Sequence, residues 1–108
     1  MARSPEQIWK PIADAELARR GVSAGTGFGQ NEGLRVGGKI FAMLVRGELV
    51  VKLPGDRVDE LVDAGSAVRF DAGKGRPMKE WASVGPEASR RWRGLVQEAR
   101  TFVGASGP

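Results

Sequence analysis

Gly37-Gly38 and Arg46-Gly47 cut the most apolar part of this chain into short pieces, and that punctuation limits what it can become. Glycine tolerates the positive φ that primed two-residue turns require, so Val36-Gly37-Gly38-Lys39 reads as a hairpin turn. Arg46-Gly47 turns the chain again into residues 48–53, where Leu49, Val51 and Leu53 alternate with Val50 and Lys52. Short extended segments at 26–30, 33–36, 39–45 and 48–53, separated by glycines, predict an antiparallel meander.

Helices are expected on both sides of it. Ser4-Pro5-Glu6-Gln7 has the form of a helix start, with Ser4 as N-cap, Pro5 at the first position and Gln7 able to close a capping box. A helix over 5–20 follows, with Ile8, Trp9, Ile12, Ala13 and Leu17 on one face and a bend or restart expected at Pro11. Arg19, Arg20 and Gly21 supply the stop. Pro54 opens a second, short helix that Gly65 ends, its buried stripe being Val58, Leu61 and Val62. Strands at 67–70 and 78–84 come next, joined by the loop 71–77. Pro86 then starts a last helix in which Ala88, Trp92, Leu95, Ala99 and Phe102 recur at helical spacing. The reading is helix, three strands, helix, two strands, helix: an α+β domain of order α-β-β-β-α-β-β-α, with helices packed on an antiparallel sheet. Residues 1–104 are expected to form this single domain and 105–108 a flexible tail.

With 108 residues the chain suffices for one core. Hydrophobic residues at 41% and charged residues at 28% are globular composition, which excludes a fibrous or wholly disordered protein. The longest apolar run, 40–45, falls far short of the ~18 residues of a membrane span. No secretory signal follows Met1 and cysteine is absent, so a cytoplasmic protein without a membrane partner is expected. Histidine and tyrosine are missing too, which removes the commonest general base, the thiol nucleophile and the two best zinc ligands together. No serine sits in a Gly-x-Ser-x-Gly setting, and Gly25-Thr26-Gly27-Phe28-Gly29 breaks the spacing of a nucleotide-binding loop. Asp56, Asp59, Glu60 and Asp63 beside the Val58, Leu61, Val62 stripe read as a solvated helix face rather than a metal site. The expectation is a protein without enzymatic activity, cofactor or metal.

What remains is charge. Residues 69–93 hold Arg69, Lys74, Arg76, Lys79, Arg90, Arg91 and Arg93 against Asp71, Glu80 and Glu87, which accounts for the whole net charge of +4. Gly73-Lys74-Gly75-Arg76-Pro77 combines flexible backbone amides with two cations, the parts of an anion site, and reads equally as a charged connection between strands. Treated as one helix, residues 86–104 put Arg90, Arg93, Gln97 and Arg100 on a stripe away from the apolar face. Trp81 shares its strand parity with Lys79 and Ser83, so it either packs or offers a ring for stacking. The candidate nucleic-acid or anion-binding residues are therefore Lys74, Arg76, Lys79, Trp81, Arg90 and Arg93, with cations meeting phosphates.

Gly27-Phe28-Gly29, Gly33-Leu34, Val36-Gly37-Gly38-Lys39-Ile40-Phe41-Ala42, Lys52-Leu53, Phe70 and Gly75-Arg76-Pro77-Met78-Lys79-Glu80-Trp81 together resemble the TfoX/Sxy N-terminal domain and its relatives in the MmcQ/YjbR group. The resemblance covers roughly residues 22–103. It implies a bacterial α+β domain of secretion-chaperone-like topology. It also implies a regulatory role, since TfoX/Sxy proteins are described as regulators of competence genes and the MmcQ/YjbR group is often labelled as DNA-binding. Neither family brings catalytic residues. Full-length competence regulators carry a second, helical domain whereas this sequence stops at Pro108, so the expectation is a stand-alone module. DNA or another polyanion is the first partner to test. The alternative is a protein-interaction or dimerisation module working through a sheet edge or an apolar groove, with no nucleic-acid role.

Overall fold

A computed structural model describes residues 4–25, 32–70 and 79–105. The chain is α+β, a six-stranded antiparallel sheet with helices against it. Helix α1 spans Pro5–Leu17, and strands β1 (Val22–Ala24), β2 (Glu32–Val36), β3 (Lys39–Val45) and β4 (Glu48–Lys52) follow. Helix α2 (Gly55–Asp63), strands β5 (Val68–Arg69) and β6 (Trp81–Val84), a 3-10 segment (Pro86–Arg91) and helix α3 (Trp92–Gly104) complete it. Among the described residues four strands rather than three precede α2, the additional one being β1; the segment expected at 26–30 lies outside the described residues, as do residues 106–108 of the expected tail.

Strand order in the sheet is β1-β2-β3-β4-β6-β5. The meander forms as the glycine spacing predicts, with both turns in the left-handed region: φ is 59° and 82° at Gly37 and Gly38, and 49° and 80° at Arg46 and Gly47. Between β2 and β3 the register slips: Leu34 faces Ala42 and Arg35 faces Ile40, leaving Phe41 as an extra residue. This bulge puts Phe41 beside Ala42 in the core instead of on the opposite face, where strict alternation would send it.

The main core lies between the helices and one face of the sheet, and includes Trp9, Ile12, Leu34, Phe41, Leu49, Val51, Leu53, Val58, Trp92, Leu95 and Val96. Ser4 and Gln7 exchange the two bonds of a capping box at 2.9 and 3.2 Å. The helix does not restart at Pro11: α1 is one helix with the proline inside it. The helix ends at Leu17, earlier than expected, and Glu16 takes the inward position while Leu17 is left exposed. Glu16 is tolerated there because Arg100 of α3 reaches both of its carboxylate oxygens at 2.7 Å.

Candidate functional site

Period-two alternation gives the sheet a second face. Ala42, Leu44, Leu49, Val51, Ala82 and Val84 point to the helices, so Met43, Val45, Val50, Trp81 and Ser83 point the other way. On that far side Met43, Val45 and Val50 form a separate small cluster, with Phe70 and Trp81 packed against it. No described helix lies over it.

Cross-strand register places the aromatics in a row. Trp81 of β6 is the partner of Lys52 on β4. On its other side, the Phe70 amide donates to the Trp81 carbonyl at 2.8 Å. Phe70, Trp81 and Lys52 thus run across three strands on one face, and the Lys52 ammonium stands 5.9 Å from the Trp81 ring centroid, within cation–π range. Both rings are half-buried: one side rests on the apolar cluster while part of each stays accessible. Exposed Lys79 precedes Trp81 by two residues. Beside the row, a cavity of ≈ 350 Å³ is lined by Val45, Arg46, Glu48, Val68, Arg69, Phe70 and Ser83, and the Ser83 hydroxyl donates to Glu48 across it.

Lys74 and Arg76 lie outside the described residues. Arg90 and Arg93 are exposed, but they belong to the 3-10 segment and the first turn of α3, in the helical layer beyond the opposite end of β6. The sheet therefore stands between them and Trp81. Of the stripe read from a single helix, Arg93, Gln97 and Arg100 lie in α3, whereas Arg90 belongs to the 3-10 segment, which has a different repeat, and Arg100 is committed to Glu16. Lys52 and Phe70 are the site residues that sequence reasoning missed. Lys52 carried a signal, because it alternates with the buried Leu49, Val51 and Leu53, but nothing local says that Trp81 is its neighbour.

The chain matches no known protein family, no curated protein and no solved structure. Its chemistry is read from its own geometry.

A cleft of ≈ 860 Å³ between α2 and α3 has its central charges satisfied internally. Arg57 donates to both oxygens of Glu98 at 2.9 and 3.1 Å. Hydrogen bonding to Glu98 raises the Arg57 pKa above its ordinary value, against desolvation acting the other way, so the guanidinium stays charged. The acidic residues of α2 are exposed, as expected of a solvated face, with Asp59 bonded to Arg69 and Glu60 within 3.5 Å of Arg57. Among the described residues no group of three His, Cys, Asp or Glu side chains is placed to hold a metal, and no helix is long and apolar enough to cross a membrane.

Proposed function

We propose that this chain is a small, non-enzymatic bacterial binding module of the TfoX N-terminal-like group, working in the cytoplasm and binding single-stranded nucleic acid on the sheet face away from its helices. The observation that carries the reading is the row Phe70, Trp81, Lys52: two part-exposed rings and a cation side by side on that face. Rings on an open sheet surface accept unstacked bases, and neighbouring ammonium groups meet phosphates without reading sequence. Exposed Lys79 adds to this surface. A duplex offers no free base faces, which is why the reading favours a single strand.

The protein carries its own reporter, since Trp9 and Trp92 are 1% and 0% exposed while Trp81 is accessible. Titration with a short mixed-sequence oligonucleotide should quench fluorescence at low salt and lose affinity as salt rises. Lys52→Glu should weaken binding roughly tenfold, and Trp81→Leu should abolish the quench. An unchanged spectrum at low salt would retire the nucleic-acid role. Binding that survives Lys52→Glu but is lost in Arg90→Glu, Arg93→Glu would move the site to the helical layer.

The alternative, an interaction or dimerisation module, has one specific observation in its favour: Val68, on an edge strand, is 61% exposed.

A further inference from the structure

The sheet ends in two edges, and they differ. At β1 the residues toward solvent are Ser23 and Ala24, and Val22 packs against the main core. At β5 the edge shows Val68, the most exposed large hydrophobic residue among those described, next to half-buried Phe70. Both stand on the far face, whereas Arg69 between them turns to the helical side and bonds Asp59 of α2.

Backbone directions follow from the ladder. Val68 faces Ser83, Arg69 faces Ala82, and the Phe70 amide bonds the Trp81 carbonyl. In an antiparallel pair the residues alternate between exchanging both backbone hydrogen bonds with their partner and pointing both groups away. Phe70 bonds inward, so Val68 does as well, and the N–H and C=O of Arg69 point outward to an edge that no described strand pairs with. An edge of this kind is a template for another strand.

We propose that the open edge of β5 pairs with β5 of a second copy of this chain, antiparallel, about a two-fold axis through Arg69. The sequence Val68-Arg69-Phe70 is self-complementary under that operation. Arg69 of each copy donates its N–H to the Arg69 carbonyl of the other, satisfying the outward groups of both. Val68 of one copy then faces Phe70 of the other on the far side of the sheet, a β-branched residue against an aromatic, which is a favourable cross-strand pair, and the axis makes it twice. Like charges directly opposite would oppose the pairing. Here each Arg69 guanidinium arrives already bonded to its own Asp59, so two neutral Arg–Asp pairs meet at the axis rather than two bare cations. An extended peptide could satisfy the same backbone groups, but the self-complementary side chains fit a second copy. So short a strand buries little area, and the dimer is accordingly weak and concentration-dependent rather than permanent. It joins two sheets into one and sets the two Phe70, Trp81, Lys52 rows on the same continuous face. This gives the interaction reading its geometry and stands whether or not that face binds nucleic acid.

Sedimentation velocity on the full chain across a wide concentration range tests it. The expected result is a reversible monomer–dimer equilibrium. Val68→Lys should abolish the dimer while leaving the circular dichroism spectrum and melting temperature unchanged, because the side chain is exposed. Asp59→Asn should weaken the dimer severalfold at low salt, with added salt restoring it, because the bare guanidiniums then repel across the axis. A sedimentation coefficient fixed at the monomer value up to about 1 mM would overturn the proposal. So would a dimer that Val68→Lys leaves intact, which would place the contact elsewhere.

Discussion

Arg46 occupies a position that its side chain disfavours. With φ at 49° it sits in the left-handed region, the one non-glycine residue with positive φ among those described. A Cβ there crowds the following carbonyl at a cost of roughly 1–2 kcal/mol, which asparagine bears more easily than arginine. The β3–β4 turn needs the conformation, since a primed turn matches the twist of its strands. Arg46→Asn should therefore stabilise the fold by about 0.5–1 kcal/mol, read as a higher urea midpoint with unchanged slope. A lower midpoint would mean that the arginine makes a compensating contact in the groove it lines with Glu48 and Ser83.

Among the elements, α3 is charged against its own dipole. Arg91 is its N-cap and Arg93 lies in its first turn, at the positive end of the helix dipole, where the Trp92 amide is bonded to the Ser89 carbonyl of the preceding 3-10 segment. Arg93→Glu should stabilise the protein by about 0.3–1 kcal/mol at low ionic strength, a gain that salt removes; a loss of stability would show that Arg93 has a partner in the fold. Elements were the most legible part of the sequence because their signals are local. Ser4, Pro5 and Gln7 wrote the start of α1, and Gly37-Gly38 and Arg46-Gly47 wrote both turns of the meander. The Phe41 bulge was not legible, because a register slip depends on what the neighbouring strand does. The candidate site was legible only in part for the same reason. Trp81 and Lys79 stood out as an aromatic beside a cation, while Lys52 and Phe70 join them solely through pairing across strands distant in sequence.

For the whole molecule, the contact with greatest leverage is the ion pair between α1 and α3. The side chains of Glu16 and Arg100 are 5% and 19% exposed, so the Arg100 charge depends on Glu16 for its solvation, while Glu16 also has Arg19 at 3.6 Å. Glu16→Ala should cost about 3–5 kcal/mol by stranding the Arg100 charge, whereas a double change to leucine at both positions should recover most of it. Equal losses in the two variants, measured by chemical denaturation, would show that packing volume rather than charge pairing holds α1 in place.

The same ion pair sets an order of events during translation. Glu16 and Arg100 are 84 residues apart, so α1 leaves the ribosome with only Arg19, 3.6 Å from the carboxylate in the finished fold, to offset its inward charge, long before Arg100 has been made. At typical elongation rates the interval is on the order of ten seconds. The meander of β2, β3 and β4 needs only neighbouring segments and can assemble in that time, and α1 can dock on β1 and β2 as they form, but the Glu16–Arg100 pair closes only when the last helix arrives.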